Sequence, residues 1–170
     1  MLIIMAGLPG CGKTTLAHRL AAALNAVVLS KDVLRHTLFP PHLVEYSVEQ
    51  DDFVVDLLLR TAGYMWSKNP RQAVILDGRT FSQRSQRQQV IDFAQRQNQP
   101  ARVVECVCSE RVAKARLAKI DAGHPAGNRD PALYEAVKAR WQEIPDPKIL
   151  VRTDGEVDVD EVVSRLSNQS

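Results

Sequence analysis

The run Gly7-Leu8-Pro9-Gly10-Cys11-Gly12-Lys13-Thr14, with Thr15 directly behind it, has residue types suited to holding a chain of phosphates. Three glycines let the backbone turn inward, so that successive amide N–H groups converge on one anion. The run follows the apolar stretch Leu2 to Ala6 and precedes Leu16, Leu20 and Leu24 at helical spacing. A strand would therefore deliver the loop, and a helix N-terminus would aim its positive dipole end at the same point. Lys13 would reach the terminal phosphates, while the Thr14 hydroxyl suits Mg²⁺, an ion that keeps several waters and takes few protein ligands. The order Gly-x-x-Gly-x-Gly before Lys-Thr differs from the Gly-x-Gly-x-x-Gly of dinucleotide-binding turns.

Two further groups of residues could complete such a site. Val74-Ile75-Leu76-Asp77 is an apolar strand ending in a carboxylate, the form of a segment that holds Mg²⁺ directly or through water; in isolation it would equally be a strand running into an Asp-Gly turn. Ser30-Lys31-Asp32-Val33-Leu34-Arg35 lies at the end of another apolar stretch, where an open parallel sheet places its ligand crevice. Asp32 there could accept the proton of an acceptor hydroxyl. Arg35, one helical turn later, could steer an anionic substrate or hold Asp32 in position. The plainer alternative is that Ser30 or Asp32 only caps the next helix and Arg35 only pairs with Asp32.

These residues need a scaffold, and the apolar pattern supplies one. Short continuous runs at Leu2 to Ala6, Ala26 to Leu29, Ala73 to Leu76, Ala101 to Val107 and Lys148 to Val151 alternate with helical periodicity, the signature of strands and helices around a parallel sheet. Helical faces fall at Leu16/Leu20/Leu24, at Val55/Leu58/Leu59/Ala62/Met65, at Val90/Ile91/Ala94 and at Val112/Ala115/Leu117. Pro40 and Pro41 interrupt the chain after the second strand, and residues 123 to 131 form the longest segment rich in loop formers. The expectation is a three-layer α/β/α P-loop NTPase fold with a five-stranded parallel sheet, in one domain over residues 1–170.

Composition narrows the classes. A chain of 170 residues, 45% hydrophobic and 25% charged, has the size and balance of one globular domain rather than of a disordered or fibrous protein. The formal charge of +2 carries no broad basic face for nucleic acid, although a local basic groove remains compatible with it. No apolar run approaches the length of a membrane helix, and the first six residues read as a buried strand, so the expected location is the cytoplasm. Cys11, Cys106 and Cys108 have neither zinc-knuckle nor redox-pair spacing and are expected as free thiols.

Together the three elements resemble the small P-loop predicted-kinase family that includes the 5′-hydroxyl polynucleotide kinase domain, zeta toxins and chloramphenicol phosphotransferase. The resemblance runs along nearly the whole chain. It implies that residues 7 to 15 bind ATP, with Thr14 and Asp77 on Mg²⁺. It also implies that Asp32 is a general base with Arg35 on the substrate, as in the Asp-x-x-Arg pair of the polynucleotide kinase branch. An Asp followed about ten residues later by Arg at a helix start fits Asp77 and Arg87, which places Arg87 on the substrate, with Arg84 competing for the role. A basic lid over about residues 116–130 is implied as well, flanked by Arg111, Lys114, Arg116, Lys119 and Arg129, with Arg116 and Arg129 as the catalytic cations. The loop Arg152-Thr153-Asp154-Gly155 sits where related kinases contact adenine, so Thr153 joins the nucleotide-binding set. The segment from Phe39 to Tyr46 has no motif that ties it to an acceptor.

The resulting expectation is an ATP-dependent phosphotransferase acting on a hydroxyl acceptor, either a small molecule or a nucleic-acid 5′-hydroxyl. The charge balance leans towards the small molecule. A regulatory module that binds nucleotide without a transferable acceptor is the alternative. Guanine-reading Asn-Lys-x-Asp is absent from the sequence, and the length leaves no room for the helical domain that ATPase motors usually append.

Overall fold

The computed structural model describes residues 1–119 and 131–168. Five strands form a single sheet: β1 (Leu2–Ala6), β2 (Val27–Ser30), β3 (Val74–Asp77), β4 (Ala101–Val107) and β5 (Ile149–Arg152). Their order is β2-β3-β1-β4-β5, and every pairing is parallel. All five runs expected from the sequence are strands, with ends shifted by no more than one residue.

Helices α1 (Lys13–Leu24), α2 (Lys31–Leu38), α3 (Val48–Lys68), α4 (Arg84–Arg96), α5 (Glu110–Leu117), α6 (Pro131–Ala139) and α7 (Val159–Asn168) connect or flank the strands. Strand β1 explains the layering, because its side chains alternate between faces with period two. Leu2, Ile4 and Ala6 share one core cluster with the apolar faces of α3 and α4, including Leu58, Leu59, Trp66, Val90 and Ala94. Ile3 and Met5 face the opposite way, against Leu16, Ala17 and Leu20 of α1 and Val162 and Leu166 of α7. Both faces of the sheet are thus covered, which is why these strands read as continuous apolar runs.

Local chemistry starts the helices that matter here. Ser30 caps α2, its hydroxyl accepting from the Val33 amide at 3.4 Å. Ser47 caps α3 by accepting from the Gln50 amide at 3.2 Å, and Glu49 and Asp51 complement the dipole in its first turn. The double proline ends the α2 connection in a short 3-10 turn, Pro41–Leu43. One helical face departs from expectation. In α5 the buried pair is Ala113 and Leu117, whereas Val112 is half-buried and Ala115 exposed. The Ser109 cap sets the phase of this short helix, and the 113/117 pair packs against Tyr134 and Leu8 as a small satellite core beneath the loop.

Parallel registry brings every strand's carboxyl end to one edge of the sheet. Ser30 lies opposite Asp77, Ala6 opposite Glu105, and Val107 opposite Arg152. The loops that leave these ends therefore meet along one crevice.

Candidate functional site

The glycine-rich loop leaves β1 and enters α1 with Gly12 as N-cap in a left-handed conformation, without any side chain capping the first turn. The first-turn amides are therefore left to an external anion. Gly10 shows why a side chain is not tolerated here. Its φ is +77°, and an added Cβ would lie 2.5 Å from the Ala113 carbonyl oxygen. Lys13 Nζ donates to the carbonyls of Gly7 and Leu8, at 2.9 Å each, so the ammonium rests on the loop.

The two proposed metal ligands are in contact. Thr14 Oγ1 donates to Asp77 Oδ2 at 2.8 Å, and Asp77 is 2% exposed with its other oxygen, Oδ1, buried and without a hydrogen-bond partner. A buried carboxylate oxygen short of a donor, beside a hydroxyl and facing the phosphate loop, fits a hydrated divalent cation. No group of three or more His, Cys, Asp or Glu suited to a metal occurs among the described residues. An ion held here would accordingly draw most of its ligands from water and phosphate oxygens.

Gly78 follows Asp77 with φ +91°, and a Cβ on it would sit 3.0 Å from the amide nitrogens of both Lys31 and Asp32. Its bare backbone lets the start of α2 press against the end of β3, which carries Asp32 to the cleft. Asp32 is 8% exposed, with Lys31 Nζ 3.5 Å and Arg35 Nη1 3.7 Å from its Oδ1. Arg35 is fully buried, ion-paired through Nη2 to Asp51 Oδ1, and lies 5.2 Å from the centroid of the Tyr46 ring. Lys31 also reaches Asp51, at 2.7 Å. Burial pushes the Lys31 ammonium down to about 8, against the opposing pull of Asp32.

On the opposite wall Arg116, from α5, donates to the Gly10 carbonyl at 3.3 Å, to Thr153 Oγ1 at 3.3 Å and to the Thr153 carbonyl at 2.6 Å. Thr153 in turn donates to the Cys11 carbonyl at 2.8 Å. The loop after β5 is thereby laced to the glycine-rich loop. Pro9, Gly10, Gly12, Lys13, Thr14, Thr15, Asp32, Arg35, Asp77, Arg116 and Thr153 all line one cleft of about 1310 Å³. Gly7, Leu8 and Cys11 form the back of the loop and line a smaller cavity of about 160 Å³ behind it. None of the three cysteines is in a disulfide.

Arg87, expected on the substrate, stands elsewhere. It is 4% exposed and donates to the carbonyls of Phe81, at 2.8 Å, and Glu143, at 3.0 Å. The physical reason lies in Phe81, a bulky residue at φ +50°, which turns the chain so that the buried face of α4 carries Arg87 underneath the loop. Arg84, the competing candidate, is exposed. The cation that this segment does bring to the cleft is Arg79, 4% exposed and paired through Nη2 with Asp52 at 2.6 Å. Arg87→Met is expected to lower stability by about 1–3 kcal/mol, because the Phe81 and Glu143 carbonyls lose buried donors. Thermal unfolding would register this as a drop of several degrees.

Of the lid cations, Lys119 lines the cleft, whereas Lys114 is engaged with Glu110, at 2.7 Å, and with Glu135, joining α5 to α6. Arg129 and most of the expected lid, residues 120–130, lie outside the described residues. Lys31, Tyr46, Asp51, Asp52 and Arg79 were not singled out by the sequence. Asp51, in the first turn of α3, reads as an ordinary helix-dipole partner, and only the fold shows it and the next residue, Asp52, turned towards basic residues of α2 and of the loop after β3.

A family model described as AAA domain matches residues 2–141. No curated protein matches the chain. Among solved structures, it is similar to a proposed kinase from Chloroflexus aurantiacus at 27% identity and TM-score 0.73, over 99% of this chain and 97% of that one. It is also similar to Mycobacterium tuberculosis APS kinase CysC, solved with AMPPNP and APS, at 19% identity and TM-score 0.72, covering 98% and 97% of the two chains. Chaetomium thermophilum Kti12, solved with ADP-AlF3, gives 20% identity and TM-score 0.71, covering 99% and 98%.

Proposed function

The chain belongs to the AAA domain family, in its P-loop kinase-like form, and from that premise we propose that residues 1–170 act as one ATP-dependent phosphotransferase domain of the cytoplasm, with a hydroxyl compound as acceptor. The observation that carries this reading is the convergence of the phosphate loop, the Thr14–Asp77 pair and Asp32 on one cleft. A cleft of about 1310 Å³ exceeds the roughly 300–1,000 Å³ of a site for one small ligand, so there is room for a nucleotide and an acceptor together. The kinase names of two of those three solved structures point the same way.

In this mechanism the amides of residues 10 to 15 hold the β- and γ-phosphates. Lys13 exchanges its loop carbonyls for phosphate oxygens. Thr14 and Asp77 would hold Mg²⁺, which would neutralise charge on those phosphates. Asp32 takes the proton of the acceptor hydroxyl as its oxygen forms a bond to the γ-phosphorus, while the bond from that phosphorus to the bridging oxygen breaks and ADP leaves. Arg35 holds Asp32 in place, and Arg116, already fixed over the loop, adds positive charge beside the transferring group. The contribution of Arg129 belongs to the same proposal.

The test is transfer of labelled γ-phosphate from Mg-ATP to a panel of 5′-hydroxyl oligonucleotides, nucleosides, sugars and hydroxy acids. Transfer to one class supports the reading, and ATP binding with no transfer to any member would favour a regulatory nucleotide-binding module instead. Lys31 provides a pH signature. Its charge is present below about pH 8 and lost above it, and with it one of the two cations, beside Arg35, that tie Asp32 to Asp51. Turnover is expected to fall as pH rises through that range, and Lys31→Arg is expected to move the fall to higher pH. A profile identical in the two proteins would remove Lys31 from this role.

A further inference from the structure

Three basic side chains, Lys31, Arg35 and Arg79, are buried on the acceptor side of the cleft, each less than 8% exposed. Arg79 differs from the other two in having its carboxylate partner outside the cleft. Its Nη2 is paired with Asp52, whose side chain is half exposed and stands outside the cleft lining, while its Nη1 is buried without any hydrogen-bond partner. A desolvated guanidinium N–H left unpaired costs free energy, and an acceptor atom of a ligand would recover it. Arg35 Nε and Nη1 are also buried without a hydrogen-bond partner, although Nη1 lies 3.7 Å from Asp32 Oδ1, inside the cleft.

The charge of the whole cleft points in the same direction. Among the described residues its lining holds eight lysine and arginine side chains against three carboxylates, Asp32, Asp51 and Asp77. The entire chain carries only +2, so positive charge is concentrated in the cleft. A metal-bound triphosphate would account for part of that excess only. The acceptor side also has an apolar rim, with Val33 53%, Val48 57% and Tyr46 41% exposed at its edge.

Building on the phosphotransferase reading, we infer that the acceptor is a small hydroxyl compound bearing its own anionic group, a carboxylate or a phosphate, and that Arg79 binds that group. The anion would pair with Arg79 and leave the hydroxyl to Asp32. A polynucleotide fits less well, since a chain of phosphates would need cations beyond the cleft, and the surface outside it carries no net positive charge.

The experiment titrates the full chain, loaded with Mg-ADP, with glycerate against glycerol and with 3′-AMP against adenosine, and adds a ten-nucleotide 5′-hydroxyl oligonucleotide. The first pair represents carboxylate and the second phosphate. At least one anion is expected to bind about tenfold or more tightly than its neutral partner, the worth of one charge-assisted hydrogen bond. Arg79→Gln should remove that preference while leaving the affinity for Mg-ADP unchanged. Asp52→Asn, which releases Arg79 from its ion pair, should tighten anion binding several-fold, an effect that a merely structural Arg79 would not produce. The inference is overturned if neutral partners bind equally well, if Arg79→Gln leaves anion binding intact, if neither anion binds, or if only the oligonucleotide does. Anion binding without transfer of the γ-phosphate to any bound compound would instead sink the phosphotransferase reading and leave the anion site standing.

Discussion

Lys13→Ala should lower turnover by about 10²–10³ and weaken nucleotide binding by one to two orders of magnitude, one of the two largest effects expected for this protein. Its Nζ lies 2.9 Å from two loop carbonyls, so the ammonium is held at the mouth of the loop before any ligand arrives. Little ordering of the side chain then remains to oppose its move to phosphate. A hydrogen bond to a charged group contributes roughly 1.5–3 kcal/mol, which sets the expected loss of affinity at one to two orders of magnitude. Loss of a cation where charge develops adds about 10²–10³ in turnover. The fold should survive, because the side chain is not part of either main core cluster. Calorimetric titration with ATP and a γ-phosphate release assay check both halves, and turnover within tenfold of wild type would remove the loop from the mechanism.

The second large effect separates binding from chemistry. Asp32→Asn keeps the size of the side chain and its place between Lys31 and Arg35, but removes the carboxylate that accepts the hydroxyl proton. Transfer is expected to fall by about 10²–10⁴, the usual contribution of a positioned general base. ATP affinity should change little, because none of the loop residues that would meet the phosphates bonds to the Asp32 side chain. If the variant transfers phosphate at the wild-type rate, Asp32 is a cap-region residue of α2 and the base must be sought elsewhere.

What the sequence made legible follows from how each signal arises. The glycine-rich loop, the five strands and the Asp32–Arg35 pair depend on short-range spacing, which the chain carries with it wherever it folds. Arg87 shows where spacing stops being sufficient. Its distance along the chain from Asp77 matched a family pattern, yet the left-handed turn at Phe81 directs it beneath the loop and leaves Arg79, closer to the strand end, in the cleft. Asp51 and Asp52 were hidden for a different reason. Their partners are 16 to 27 residues away: the turn between α2 and α3, which has no periodicity to read, brings Asp51 to Arg35, and Asp52 meets Arg79 only after the chain has returned through α3 and β3. Of the expected α5 face only Leu117 is buried, with Ala113 in place of Val112 and Ala115, because eight residues give only two turns over which to fix a phase.

The bonds from Thr153 to Cys11 and from Arg116 to Gly10 and Thr153 join the start of the chain to a loop 142 residues further on. On a ribosome, the phosphate loop is made well before Thr153, which braces it directly, anchors Arg116 above it, and is added only after β5. A nascent chain shorter than that carries the complete Gly7-to-Thr14 motif without its full support. Nucleotide can stabilise the folded protein only late in its own synthesis, so cellular ATP would act on the finished domain and not as a template for building it.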